Sequence, residues 1–297
     1  MMQQRWLMLA LATMLLATGC HHSSDQAGAQ PDAKEVKHYM LRGRVVSVDT
    51  TQSAVTISHE AIPGLMGAMT MPYQVKDPNV LTELHPGDRM TATLVDEDER
   101  KFYLDDIVIT AQANPDYKPA KEYHVPQAGD EVPDFPLLNQ SGQTLHLSQF
   151  RGKVLLVTFI YTRCPLSDYC PRMSRNFAEV DKGLAADPHL YAGSHLLSIS
   201  FDPAYDTPKV LRSYGGAYTG QFTKEKFQHW DFAAPSEKDL PAVEQWFNVG
   251  VTPGDSNSLT HSLSTLVIGR DGRILKWYPT NEWTPAELVD DVKKAVS

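Results

Sequence analysis

Apolar residues between positions 36 and 113 fall into short runs, each of the length of one β-strand and separated from the next by turn-forming residues. Runs of this length, rich in Val, Ile, Leu and Tyr with polar positions between them, are typical of half-buried strands. The predicted strands are residues 41–48, 54–59, 68–75, 89–95 and 101–110. Five short strands in one segment predict a small closed β-barrel domain over residues 37–112.

The pattern changes after a second segment, residues 113–127, whose prolines at positions 115, 119 and 126 predict a stiffened linker. Continuous apolar runs of strand length, with stretches between them that can be helical, follow this linker. Alternating strands and helices predict a three-layer α/β domain over residues 128–297. The predicted elements are buried strands at 154–160 and 195–200, helices at 171–184, 207–214, 237–247 and 284–295, and a final hairpin turning at Asp271-Gly272.

The amino-terminal residues have the sequence pattern of an export signal. Arg5 precedes the apolar run 6–17, which is too short to cross roughly 30 Å of hydrocarbon but has the length of a signal-peptide core. The run ends in Leu16-Ala17-Thr18-Gly19-Cys20. This ending resembles a bacterial lipobox, in which the thiol of the Cys is acylated and the Cys becomes the new N-terminus. The alternative is simple secretion with an incidental Cys20.

The lipobox resemblance implies a signal peptide at residues 1–19, lipidation of Cys20 and a flexible spacer over residues 20–36. The mature protein is then expected in the bacterial periplasm, tethered to a membrane through its lipid. His21 directly after the Cys favours the outer membrane in the sorting pattern of such lipoproteins.

Composition excludes several classes of protein. Hydrophobic residues make up 42% of the chain, which is enough for folded cores rather than a disordered chain. Lys plus Arg number 27 against 36 for Asp plus Glu, and the formal net charge is −9. Without a basic stripe to neutralise phosphates, nucleic acid is not an expected partner.

Of the three cysteines, Cys164 and Cys170 lie together directly after the predicted buried strand 154–160. Positions six apart on a helix differ by about 120° and about 9 Å, so the two thiols can meet only if the segment loops. Pro171 suits the first helical position, which places Cys170 at a helix N-terminus, where the dipole favours a thiolate.

Two thiolates form a soft but incomplete metal site, suited to Cu(I), zinc or iron–sulfur chemistry. His261 sits just before another apolar strand, and parallel α/β sheets gather such strand-end loops along one edge. A site of Cys164, Cys170 and His261 is therefore expected. The alternatives are a structural disulfide that clamps the loop and a His261 that is merely packed.

Residues 128–297 resemble the Sco family of copper metallochaperones and thiol-disulfide proteins, which have a thioredoxin-like fold. The resemblance rests on Gly129 to Phe135, Leu147 to Lys153, the two Cys-Pro pairs, Ser198 to Pro203 with Asp206-Thr207-Pro208, and His261-Ser262. Family members bind copper through the two Cys and the late His, which implies that role for Cys164, Cys170 and His261. The family usually has three residues between its cysteines, whereas this chain has five. Asp202 and Asp206 are read as turn and helix-capping residues.

A second candidate site lies in the predicted barrel. Met69 and Met71 project from one face of a strand about 6.6 Å apart, close enough for two thioethers to bind one ion. Thioethers select Cu(I) over hard cations. His59 shares a strand face with Val55 and Ile57 and points at the same end of the barrel. The alternative is that these methionines only fill a core.

The segment from His59 to Met71 resembles the small periplasmic copper-binding proteins of the CusF type, which fold as five-stranded OB barrels. In that family a His and two Met bind Cu(I), and a Trp covers the ion by a cation–π contact. The resemblance implies the ligand roles for His59, Met69 and Met71. The position of the Trp is occupied by Met66 in this chain. Met66 then either supplies a third thioether or leaves the ion without a cover.

The expected function is an envelope copper metallochaperone that binds Cu(I) or Cu(II) and delivers it to a copper-receiving apo-protein, such as the dinuclear copper site of cytochrome c oxidase. One alternative is a thiol-disulfide oxidoreductase acting through Cys164 and Cys170. Such enzymes generally have two residues between their cysteines and a cis-proline facing them, where this chain has five residues and Leu263. The other alternative is copper sequestration for metal tolerance.

Overall fold

The computed structural model describes residues 36–97, 102–114, 123–253 and 259–296, which belong to one compact unit. The predicted signal peptide, Cys20, His21 and nearly all of the predicted spacer lie outside the described residues, as does residue range 115–122 of the predicted linker. Among the described residues, no helix combines the length and apolar character needed to cross a bilayer.

The N-terminal part of the described chain forms a closed barrel with strand order β1-β2-β3-β5-β4. Its strands are β1 (Lys37–Asp49), β2 (Ala54–His59), β3 (Met69–Val75), β4 (Arg89–Asp96) and β5 (Phe102–Ala111). The five predicted strands are therefore confirmed, with β1 beginning four residues before its predicted start at Leu41. Neighbouring strands run antiparallel except β3 and β5, which pair in parallel only at Gln74 with Tyr103 and Val75 with Leu104.

A seven-stranded sheet with order β14-β13-β8-β9-β10-β6-β7 organises the C-terminal part, and β11 and β12 form a separate two-stranded sheet. The strands in this part are β6 (Pro136–Asn139), β7 (Thr144–His146), β8 (Val154–Ile160), β9 (Ser194–Ser200), β10 (Trp230–Pro235), β11 (Val251–Pro253), β12 (Leu259–His261), β13 (Thr265–Ile268) and β14 (Ile274–Tyr278). The helices are α1 (Cys170–Ala185), α2 (Pro188–Ala192), α3 (Pro208–Tyr218), α4 (Leu240–Trp246) and α5 (Pro285–Val296).

The central strands β8 and β9 are buried along their whole length, which explains their unbroken apolar sequence. The barrel and the α/β sheet each enclose a separate hydrophobic core. The predicted fold class, a five-stranded OB-like barrel followed by an α/β thioredoxin-like domain, is confirmed.

β13 runs in the opposite direction to that expected from the sequence. In the expected parallel sheet, the start of β13, with His261 just before it, would lie at the opposite edge from the end of β8. Instead β13 runs antiparallel to β8, with Thr265 opposite Thr158 near the end of β8. This reversal brings the segment before β13, which carries His261, to the edge where β8 ends and the cysteine loop begins.

Candidate metal centres

The ligand atoms of Cys164, Cys170 and His261 all lie within 4.8 Å of one another. The Sγ atom of Cys170 is 3.2 Å from Nε2 of His261. Cys170 and His261 are buried, Cys164 is half-buried, and both cysteines are free thiols. The fold thus brings two sulfur atoms and one imidazole nitrogen into one cluster, although Cys170 and His261 lie 91 residues apart in the sequence.

The two thiols come from different local structures. Cys170 is the first residue of α1, where Pro171 occupies the first turn, and its side chain is fully buried in the core of the α/β domain. Cys164 lies on the loop between β8 and α1, with its Sγ atom 3.8 Å from the carbonyl oxygen of Leu166. Because the segment loops rather than continuing as a helix, thiols six positions apart can face each other.

Asp206 fixes the start of this loop. Its buried carboxylate accepts a hydrogen bond from the backbone N–H of Thr162 at 3.0 Å and further bonds from the hydroxyls of Thr162 and Ser200. Helix α3 begins two residues later, after Thr207, without a side-chain cap. The prediction that Asp206 caps a helix is therefore wrong, because the carboxylate instead joins the end of β9 to the cysteine loop.

Asp202 has the turn role that its sequence predicts. Its carbonyl oxygen accepts hydrogen bonds from the backbone N–H groups of Tyr205 and Asp206. Its carboxylate also accepts a hydrogen bond of 2.6 Å from the guanidinium of Arg163, the residue before Cys164. Asp202 and Asp206 therefore support the loop from outside the cluster.

The ring of His261 is held in one orientation. Its Nδ1 atom is 2.8 Å from the carbonyl oxygen of Ser262. A carbonyl can only accept, so Nδ1 carries a proton, and Nε2 is the ring nitrogen directed at the sulfur atoms. Tyr161, Tyr169 and Phe201 surround the ring at centroid distances of 5.6, 5.9 and 4.6 Å.

Tyr161 is a supporting residue that sequence reasoning missed. Its hydroxyl donates a hydrogen bond of 3.1 Å to the carbonyl oxygen of Leu259, at the start of β12. Burial raises the pKa of Tyr161 to about 12, so the hydroxyl keeps its proton at neutral pH. The residue that follows β8 thereby anchors the strand that carries His261.

The two thiols differ in acidity. The hydrogen bond from Cys170 and the proximity of His261 lower the pKa of Cys164 to about 4, against the opposing effect of partial burial. Complete burial raises the pKa of Cys170 above its ordinary value. The prediction that the helix dipole favours a thiolate at Cys170 is therefore wrong, because loss of solvent outweighs the dipole there. The metal-free pair carries its negative charge on Cys164.

This difference predicts the alkylation behaviour of the reduced, metal-free protein. At pH values below its pKa of about 8.5, an ordinary thiol reacts about tenfold faster for each unit by which the pH is raised. Because Cys164 is already ionised, its reaction with iodoacetamide should change little between pH 6 and pH 8, as measured by peptide mass spectrometry. Cys164→Ser should leave only slow labelling at Cys170. A Cys164 rate that climbs tenfold per unit up to pH 8 would contradict the assignment.

The barrel brings its own candidate donors together. In the antiparallel pairing of β2 and β3, His59 lies opposite Met69 and Ile57 lies opposite Met71. Directly opposed residues share a face of the sheet, so His59, Met69 and Met71 project to the same side. Met66 returns to this region through a turn closed by paired backbone hydrogen bonds with Ile62.

His59 has a buried nitrogen atom without a hydrogen-bond partner among the described residues. Its Nδ1 atom donates to the carbonyl oxygen of Glu60 at 2.7 Å, which leaves Nε2 as the unpartnered atom. Burial lowers the pKa of His59, so the ring is neutral and Nε2 has a free lone pair. An unsatisfied buried acceptor costs about 1–3 kcal/mol, and a bound metal ion would satisfy it.

The methionines around His59 differ in exposure. Met69 is buried, whereas Met66 and Met71 are half-buried. The hydroxyl of Tyr73 donates a weak hydrogen bond of 3.8 Å to Sδ of Met66, and the Tyr73 ring lies edge-on to His59 at 5.7 Å. A neutral imidazole with several nearby thioethers is a soft donor set.

The fold and these donor sets define a two-domain protein of the copper-binding, thioredoxin-like class. Residues 124–297 match the family model described as SCO1/SenC, and residues 38–107 match the one described as copper binding periplasmic protein CusF. The chain belongs to the SCO1/SenC family and carries an N-terminal CusF-type domain. Copper is the metal of both families.

The chain is also similar to individual proteins. The SCO1 protein homolog of Bacillus subtilis (strain 168) is 31% identical over 169 residues, which cover 56% of this chain and 82% of the homolog. A SCO1/SenC family lipoprotein from Bacillus anthracis is 23% identical, with a TM-score of 0.49, over 59% of this chain and 99% of that one. BsSco, described as a member of the Sco family of cytochrome c oxidase assembly proteins, is 29% identical, with a TM-score of 0.45, over 58% and 96% of the two chains.

Proposed function

We propose that this copper chaperone holds one copper ion between Cys164, Cys170 and His261 and a second at His59, Met69 and Met71, with Met66 as a further thioether. The observation that carries the proposal is the cluster of Cys164, Cys170 and His261, whose ligand atoms lie within 4.8 Å of one another. The support for the barrel site is the buried, unpartnered Nε2 of His59 opposite Met69.

The cluster of the α/β domain suits an ion that must be both held and released. Two sulfurs and an imidazole accept Cu(I), and mixed imidazole and thiolate ligation also occurs for Cu(II). Buried Cys170 and His261 provide fixed donors, whereas half-buried Cys164 leaves one side open for exchange with a partner. We infer that this site delivers copper to an apo-protein, for which the dinuclear copper centre of cytochrome c oxidase is the proposed recipient.

The barrel site suits acquisition of Cu(I). Thioethers bind without losing a proton and do not form disulfides under oxidising conditions, so the site does not depend on reduced thiols. We propose that the barrel collects or buffers Cu(I) in the cell envelope. This role and the delivery role require no bond of a substrate to be made or broken.

Gene deletion separates delivery from metal tolerance. A delivery protein predicts loss of cytochrome c oxidase activity in cells grown at low copper, with recovery when copper is added. A protein that only sequesters copper predicts normal oxidase activity and poor growth at high copper. Normal oxidase activity in the deletion strain at low copper would reject the proposed recipient.

The proposed location is the periplasmic face of a membrane, preferably the outer membrane, through a lipid on Cys20. The lipobox-like sequence before Cys20 and the His21 that follows it support this location. We expect the mature protein to fractionate with membranes, with an acylated N-terminal Cys by mass spectrometry, and Cys20→Ala to abolish the acylation. Release of the unaltered chain into the soluble periplasmic fraction would contradict the anchor.

Disulfide exchange is a second candidate function because Cys164 combines a pKa of about 4 with partial exposure. An exposed thiolate is the attacking group in thiol-disulfide exchange, and the buried neighbour Cys170 would resolve the mixed disulfide. This candidate predicts metal-free, catalytic reduction of a small disulfide by the reduced protein in the presence of a dithiol. Activity no greater than that of Cys164→Ser would exclude it.

A further inference from the structure

The barrel and the α/β domain meet at the strands that carry their candidate ligands. Gly250, directly before β11, lies against Thr70 of β3, between Met69 and Met71. A Cβ atom placed on Gly250 would overlap the carbonyl oxygen of Thr70 and lie 3.0 Å from its carbonyl carbon. The approach is backbone against backbone, and only glycine permits it.

Gly250 is also joined to the His261 segment. Its N–H donates to the hydroxyl of Ser262 at 2.8 Å, and its carbonyl oxygen accepts from the N–H of Ser262 at 2.9 Å. The β11–β12 hairpin therefore contacts β3 of the barrel while its second strand ends at His261. The β11–β12 hairpin thus extends from the strand that carries Met69 and Met71 to His261.

A cavity lies between these elements, and we call it the shared cavity. Its walls include Met71, Tyr73 and Phe102 from the barrel and Tyr169, His261 and Leu263 from the α/β domain. A proposed ligand of each site therefore lines the same space. Gln74, Ser262, Thr280 and Asn281 also line the cavity, so its wall combines aromatic and aliphatic side chains with neutral polar ones and has no carboxylate, Lys or Arg.

Two tyrosines connect the shared cavity to the two sites. Tyr73 donates to Sδ of Met66 and lies edge-on to His59. Tyr169 lies edge-on to His261 at 5.9 Å and directly precedes Cys170. The aromatic walls of the cavity thus pack against donors on either side.

We propose that Cu(I) moves directly between the barrel and the α/β domain through the shared cavity, with Met71 and His261 as the donors at its two ends. The inference rests on the proposed function, since both sites must bind Cu(I). Transfer is ligand exchange: bonds to thioethers break as bonds to His261 and Cys164 form, and the ion keeps its oxidation state. Copper collected by the barrel then reaches the cysteine site without entering solvent.

The test measures how quickly copper reaches the thiolates. Reduced full-length protein at about 10 µM receives one equivalent of Cu(I) as its bicinchoninate complex under anaerobic conditions. Loss of the bicinchoninate colour reports uptake, and near-ultraviolet thiolate–copper absorption reports arrival at Cys164 and Cys170. Donors held in one molecule have millimolar effective concentrations, so transfer within the chain should be about 100-fold faster than transfer between chains.

Complementary variants separate the two routes. Met69→Leu with Met71→Leu disables the barrel site, and Cys164→Ser disables the other site in a second sample. The unaltered chain should load its thiolates fast, and the barrel variant should load them slowly. Mixing the two variants should not restore the fast rate. Fast loading by the barrel variant or by the mixture would overturn the proposal.

Gly250→Ala tests the interface without changing a proposed ligand. It should still bind two Cu(I), but its thiolates should load at the slow rate of the barrel variant. The matched control is Gly183→Ala in α1, where a Cβ meets only a methyl group of Val289 at 3.1 Å, and its loading should stay fast. A fast, folded Gly250→Ala would overturn the proposal, and if that variant does not fold, the mixing experiment decides. Failure of the unaltered chain to bind two Cu(I) would instead reject the proposed function.

Discussion

Cys164→Ser should reduce the Cu(I) bound by the reduced chain from two ions to one. The substitution replaces a thiolate, which carries the negative charge of the metal-free cluster, by a neutral hydroxyl that is a poor ligand for Cu(I). Loss of an outer-shell partner of a metal ligand typically costs 10–100-fold in affinity, and loss of the ligand itself should cost more than about 100-fold. Competition with bicinchoninate under anaerobic conditions measures both the number of ions and their affinity.

Ser167→Ala is the matched control for this change because it alters a side chain of the same loop outside the cluster. It should bind two Cu(I) with unaltered affinity. If Cys164→Ser also retained two ions at unaltered affinity, the cluster of Cys164, Cys170 and His261 could not be the binding site.

Met69→Leu combined with Met71→Leu should remove the other ion and leave the cysteine site loaded. Leu keeps the volume and apolar character of Met, so the free energy of unfolding of the metal-free protein should change by less than about 1.5 kcal/mol per site. If the metal-free variant keeps its free energy of unfolding but binds one copper ion fewer, the two methionines act as ligands rather than as core-filling residues. Cu(I) competition and urea unfolding of the same samples give the two readouts.

The control for the methionine pair is Met90→Leu in β4, which makes the same chemical change at a buried position of the same barrel. It should retain both ions. Equal copper binding by the methionine-pair variant and by Met90→Leu would show that the methionines of β3 only fill the core.

Much of the barrel followed from the sequence because its signals are local. Alternation of side chains along a strand placed Met69 and Met71 on one face before any pairing was known. The strand face of His59 and the family resemblance both indicated that it would lie with the methionines, but the register that sets His59 opposite Met69 depends on how β2 and β3 pair across the connecting segment. The unpartnered Nε2 of His59 is a property of three-dimensional packing and has no sequence signal.

The cysteine site was harder to derive from residue spacing alone. The meeting of His261 with the cysteines depends on the antiparallel direction of β13, which an apolar run does not reveal. The acidity of the thiols also required coordinates, because burial at Cys170 outweighs the helix N-terminus that Pro171 correctly indicated. Asp206 was misread for a similar reason, since its partners Thr162 and Ser200 come from two different strand ends.

The contact between the two halves was not foreseen. Gly250 sits between apolar residues in a strand-like run, a pattern that can mark a close approach of another backbone. Nothing local identifies that backbone as the carbonyl of Thr70. Two domains that were predicted as separate units on a linker therefore share a cavity that both sites border.

The most direct measurement is copper K-edge X-ray absorption of the reduced full-length chain, loaded anaerobically with two equivalents of Cu(I). The donor sets at Cys164, Cys170 and His261 and at His59, Met69 and Met71 predict a first shell of about two sulfurs and one nitrogen for each ion. Cys164→Ser should shift that average toward thioether and imidazole donors. A first shell made only of nitrogen and oxygen would contradict both sites.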